Sequence, residues 1–152
     1  MMIDQMELSV RLAIFFSGIF LLTGMLTGVW KYVQISLSKQ ARAHYYVDIA
    51  HRSSLLYAPA TLILAVMAYF SALNESTNLL FILINIFFFA FSIVSYILHG
   101  LLKDTTNQFK EPHQLGRIEL PKLLMRGAMV LLVVGEVGAT LGLLYGLYIG
   151  LF

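Results

Sequence analysis

Apolar residues along this chain fall into four long blocks, without the polar alternation of a half-exposed strand or surface helix. The blocks run roughly from Leu8 to Val33, Ser54 to Leu73, Leu79 to Leu102 and Leu123 to Phe152. About 20 apolar residues at helical rise cross a hydrocarbon core, so the pattern predicts four transmembrane helices. The expected fold class is all-α, a polytopic membrane four-helix bundle, with residues 1–152 forming one membrane domain. The first block is too long for a signal-peptide apolar region and has no basic segment before it, so it is expected to stay as a span. Composition agrees: 59% of residues are hydrophobic and 12% charged, against about 25% charged in an average soluble domain. There is no cysteine, which excludes disulfides, zinc thiolate sites and iron–sulfur clusters. A net charge of +2 is too small to suggest nucleic acid as a partner.

Loop charge predicts orientation, because Lys and Arg concentrate on the cytoplasmic side. The first connection carries Lys31, Lys39, Arg42 and Arg52, and the third carries Lys103, Lys110, Arg117, Lys122 and Arg126. Only Arg11 of the ten cations lies elsewhere. The second connection has Glu75 and no cation, and the N-terminal segment has Asp4 and Glu7 before Arg11. Both termini are therefore expected on the non-cytoplasmic side of a bacterial-type inner membrane, with the lipid bilayer as first partner. Trp30, Tyr32, Tyr45 and Tyr46 suit an interfacial aromatic belt on the cytoplasmic side. The polar stretch Asp104 to Pro121, with two prolines, reads as a loop.

The last span has Gly138, Gly142, Gly146 and Gly150 at four-residue spacing, with Gly135 nearby, and the first has Gly24 and Gly28. Small residues at this spacing let helix backbones approach closely in lipid. They serve either packing within the chain or an interface in a homo-oligomer.

Ionisable residues inside spans are costly and mark functional candidates. The stretch from Ala41 to Arg52 has no helix breaker and is expected to be helical into the membrane. His44, Asp48 and His51 then share one face at i, i+4 and i+7. A carboxylate between two imidazoles fixes their tautomers, the arrangement that supports a ligating histidine. In the third span Asn85, Ser92, Tyr96, His99 and Lys103 form one stripe amid phenylalanines, so the stripe must face the bundle interior. His51 and His99 are expected at similar depth, near the cytoplasmic surface, and to converge on one cavity. An apolar bundle with a single ligating imidazole suits haem. Glu136 stands near the midplane of the last span, with Thr140 as a candidate hydrogen-bond partner or a proton as its business.

The stretches Ala41-Arg42-Ala43-His44 and His51-Arg52-Ser53-Ser54-Leu55-Leu56-Tyr57, with Tyr96 at the end of the third span, resemble the styrene oxide isomerases. Asn107-Gln108-Phe109 is similar to a further feature of that family. The resemblance implies a small four-helix membrane enzyme, trimeric, with haem b near the subunit interface. Ferric haem would act as Lewis acid on the epoxide oxygen of a small apolar substrate, giving an aldehyde. With His51 matched to the family's axial ligand, Tyr96 falls on its active-site tyrosine without a gap. With Ala41-Arg42-Ala43-His44 as anchor, His44 becomes the ligand instead. In the His51 register Tyr57 stands where the family has an asparagine, Phe88 where it has a carboxylate, and His99 where it has a small polar residue.

The resulting expectation assigns His51 as the iron ligand, with His44, Asp48 and Tyr96 around the haem. Tyr96, Tyr57 and His99 are the catalytic candidates, and Asp48 would hold a histidine. The alternatives are a non-catalytic haem sensor, chaperone or electron carrier with His51 and His99 as paired ligands, and a cofactor-free transporter or assembly subunit built on Glu136 and the polar stripe.

Overall fold

A computed structural model describes residues 6–152. Asp4, one of the acids in the orientation argument, lies outside them. The chain is all-α in its main elements. The helices are α1 (Leu8–Leu37), α2 (Tyr45–Tyr69), α3 (Glu75–Leu102) and α4 (Lys122–Leu151). Each is long and apolar enough to cross a membrane, and together they fit a multi-pass membrane protein. Between α3 and α4 the loop folds into an antiparallel hairpin, β1 (His113–Leu115) with β2 (Ile118–Leu120). Its two-residue turn has Gly116 at φ 62, a left-handed first position that glycine adopts without steric cost.

The expected start of α2 is corrected by the structure. The helix begins at Tyr45, His44 is its N-cap, and Ala41 sits at φ 53 in the left-handed region. His44 therefore leaves the helical stripe it was expected to share with Asp48 and His51. The helix then runs through Pro59 to Tyr69.

Packing follows the small residues. A side-chain carbon at Gly24 would press on Leu55, and one at Gly28 on the His51 ring, so α1 and α2 meet closely along these positions. On α4, Gly135 lies against Phe88, Gly142 against Phe81, Gly146 against Ser71 and Leu73, and Gly150 against the Phe70 carbonyl. Both glycine stripes are thus used inside the chain, and Gly138 faces open space. The core comprises Phe20, Leu64, Ile82, Ile86, Phe89, Ile93 and Leu143 with small residues of α1 and α2. The rest of the apolar surface, such as Phe15, Met25, Leu56, Phe87, Val134 and Leu141, is exposed, as lipid-facing side chains are.

Candidate functional site

The candidate chemistry gathers at one end of the bundle, where α1 and α3 finish and α2 and α4 start. His51 sits on the α2 face that meets α1. Its Nδ1 lies 2.8 Å from the Gly24 carbonyl. A carbonyl oxygen only accepts, so Nδ1 carries a proton, and in the neutral ring that leaves the lone pair on Nε2. The absence of a side chain at Gly28 makes room for the ring: a Cβ there would stand 2.8 Å from Cε1. Nε2 has no hydrogen-bond partner among the described residues and is not sealed in the core. Backbone anchoring of one ring nitrogen is how proteins orient the other toward a metal. The residues around His51 therefore fit single-imidazole ligation of a haem iron.

Asp48 does not hold a histidine. Its two oxygens take Lys31 at 2.5 Å and Arg52 at 2.6 Å, which ties the end of α1 to the first turns of α2. His44 donates its backbone N–H to the Gln34 side chain at 2.8 Å. Burial, and then the nearby Lys103, push its imidazole below the usual value, so it is neutral near pH 7.

His99 is also placed differently from expectation. The α3 stripe does face inward, with Asn85, Ser92 and His99 buried. But His99 Nδ1 is paired with the Asp104 carboxylate at 2.8 Å, both side chains being almost wholly buried. The other Asp104 oxygen accepts the Gly116 N–H at 2.6 Å. Burial pushes Asp104 up, but the Gly116 N–H and the His99 partner outweigh it and hold the carboxyl below its usual value. This buried pair fastens the hairpin to the end of α3. Tyr46 completes the fastening: its ring lies 5.0 Å from that of His99, and its hydroxyl accepts the Gln108 N–H at 2.6 Å. Tyr46 is thus buried, not part of an interfacial belt, whereas Tyr32 and Tyr45 are exposed.

His51 and His99 consequently do not converge. His51 turns toward α1, while Tyr46, five residues earlier, turns toward His99 and α3. Five residues at about 100° each put the two about 140° apart around α2. Tyr96 stacks on Tyr46 at 6.0 Å, so it too lies away from its chain's own His51. Tyr57 is stacked on Phe89 at 4.3 Å, within the bundle.

What the structure does bring together is Tyr96 and the Asn107-Gln108-Phe109 segment. With Tyr45, Tyr46, Ile49 and Thr106 they line a cavity of about 250 Å³. Phenol, amide and aromatic groups there suit a small aromatic molecule carrying an oxygen. His113, in the polar loop, has an apolar wall around it. It is buried, Nδ1 lies 3.0 Å from the Gln108 carbonyl, and it lines a cavity of about 530 Å³ with Phe109, Met125, Met129 and Val130. Glu136 does not bond Thr140, whose hydroxyl donates to Asn85 at 3.1 Å; its own Oε1 is buried without a partner among the described residues.

Several of these roles left little trace in sequence. Asp104 lies five residues past His99, beyond the end of a helix, and no helical spacing links them. Among the described residues no three His, Cys, Asp or Glu side chains are grouped to hold a bare metal ion. Compared with known proteins, the chain matches no family model, no curated protein and no solved structure.

Proposed function

We propose that this chain is a haem-b-binding membrane protein of the styrene oxide isomerase type, with His51 as the one protein ligand to iron. The observation that carries the reading is the His51 lock: Nδ1–H donated to Gly24, the ring seated over Gly28, Nε2 open. The motif resemblance around His51 and Tyr96 supports it. The rival pairing of His51 with His99 is disfavoured, because His99 is committed to Asp104 and turned to another face of α2. The cation asymmetry supports an orientation with the His51 end at the cytoplasmic side of an inner membrane and both termini opposite.

Bound through His51, ferric haem would supply a Lewis acid for an epoxide oxygen. The chain does the rest. Gly24 fixes the imidazole, and the lipid-facing walls admit an apolar epoxide from the bilayer. Tyr96 donates a hydrogen bond to the oxygen as charge develops on it, an effect worth about 2.7–4 kcal/mol when preorganised. Because Tyr96 does not face its own His51, this reading has the tyrosine cavity of one copy meet the His51 face of the next. Head-to-tail contacts close into a ring when the rotation between copies closes, as it does in a trimer. In the isomerisation one epoxide C–O bond breaks, a hydrogen migrates with its electron pair to the carbon left behind, and a carbonyl forms. No atom enters or leaves.

The test is to incubate the ferric protein with styrene oxide and follow phenylacetaldehyde. Turnover lost in His51→Ala, in Tyr96→Phe and on dithionite reduction is the expected result. A haem-loaded protein that ignores epoxides would overturn the isomerase step, and a six-coordinate haem would overturn the single-ligand assignment.

A further inference from the structure

Two cavities adjoin at the end of the bundle that carries the cations. One, of about 560 Å³, is walled by the end of α1 and the connection to α2, including Arg42. The other, of about 500 Å³, is walled by the α3–α4 loop, including Lys110. His44 and Lys103 line both. The two acids on these walls are already used. Asp104 takes His99 and the Gly116 N–H, and Glu111 takes Lys122 at 2.5 Å. Arg42, Lys103 and Lys110 form no ion pair among the described residues. His44, neutral near pH 7, adds hydrogen-bonding capacity without changing that balance. Three uncompensated cations thus face one cleft.

Lys103 is the singular residue there. It caps α3 at φ 51 and ψ 33, a left-handed conformation that glycine takes freely and residues with a Cβ avoid. Glycine would end the helix better, yet the position holds a lysine whose side chain borders both cavities. Ala41, next to Arg42, is the other non-glycine residue with positive φ among those described. Backbone strain of this kind accompanies function more often than chance would place it.

We propose that this cleft binds the phosphate of an anionic lipid headgroup, with Lys103 bridging the two cavities between Arg42 and Lys110. The cleft lies where four apolar helices reach their ends, the height at which headgroups sit. A phosphate offers bare charged oxygens to a guanidinium fork and to two ammonium point charges. Exposed Leu37 and Leu102 beside it give the acyl chains an apolar wall. A free phosphate carries the same headgroup chemistry without the chains, and the experiment separates the two.

The experiment measures lipid binding to the detergent-purified full chain by native mass spectrometry. It compares phosphatidylglycerol with phosphatidylcholine of identical acyl chains, and inorganic phosphate alone. Wild type should retain phosphatidylglycerol over phosphatidylcholine, and each cation removed from the cleft should weaken that preference about fivefold. Lys103→Gly should do so while the unfolding temperature holds or rises, since glycine relaxes the left-handed turn. Arg42→Gln should act like Lys103→Gly, and Arg117→Gln, an equal charge change on the hairpin turn, should leave the preference intact. Equal loss in Arg117→Gln would reduce the effect to diffuse surface charge and overturn the site. Equal binding of both lipids would overturn it as well, and inorganic phosphate competing as strongly as lipid would assign a soluble anion instead.

Discussion

On the proposed haem site, replacing Gly28 by alanine should weaken haem binding while leaving stability almost unchanged. The added Cβ would stand 2.8 Å from His51 Cε1, whereas ordinary contact starts near 3.4 Å. The ring must therefore retreat by about 0.6 Å, the difference between those two distances. A retreat straight from α1 stretches the Nδ1–Gly24 hydrogen bond from 2.8 Å past the range where such bonds hold, roughly 3.2 Å. Losing it costs about 0.5–1.5 kcal/mol. The Gly24 carbonyl is not orphaned, since the Thr27 hydroxyl also reaches it at 3.1 Å. Alanine in a helix interior meanwhile gains about 0.5–1 kcal/mol over glycine, so the two effects nearly cancel in folding. They do not cancel in ligation, where losing the group that orients a ligating imidazole costs about 10–100-fold in affinity. The assay is titration of the detergent-purified apoprotein with hemin, read by the Soret band, beside a thermal melt. Gly18→Ala is the control, because a Cβ at Gly18 meets nothing within 4 Å. Wild-type haem affinity in Gly28→Ala would refute the carbonyl lock, and equal loss in Gly18→Ala would trace the effect to α1 as a whole.

Other consequences can be checked separately. Gly142→Leu and Gly146→Leu should unfold the single chain, by about 1–3 kcal/mol or more, whereas Gly138→Leu should be tolerated; intact monomers that merely fail to assemble would return the stripe to a subunit interface. Asp104→Asn should loosen the hairpin by about 1.5–3 kcal/mol, the worth of hydrogen bonds to a charged group, read as faster amide exchange over residues 104–120. Since the Asp104 carboxyl lies below its usual 3.8 when folded, its contribution is complete above that value and is lost as pH falls through the lower folded one; a hairpin that opens only above neutral pH would contradict this. Reporter fusions after Lys110 should be active only with a cytoplasmic reporter, and a periplasmic signal there would reverse the orientation.

Much of the architecture is legible from hydropathy alone, because lipid forces each span to close its own backbone hydrogen bonds. The inward stripe on α3 was legible for the same reason: Asn85, Ser92 and His99 are buried, as polar groups on an apolar helix must be. The start of α2 was not. Nothing in Ala41-Arg42-Ala43-His44 breaks a helix by composition, and the break comes from Ala41 in a left-handed turn. That one turn removes His44 from the face of Asp48 and His51. Of the partners of Asp48, Arg52 stands at i+4 on the same helix, whereas Lys31 was hidden because it comes from another helix. The hairpin is not legible in sequence because its strands have three residues each, too short for alternation to register. The glycine stripes were visible, but whether they pack within the chain or between chains depends on Phe81, Phe88 and Leu73 meeting them, which spacing cannot reveal.

The most direct test of the account is the absorption spectrum of the purified protein reconstituted with hemin. Wild type should show a five-coordinate ferric haem whose Soret band is lost in His51→Ala and kept in His44→Ala and His99→Ala. Bleaching by His44→Ala instead, or no haem uptake by the folded wild-type protein, would contradict it.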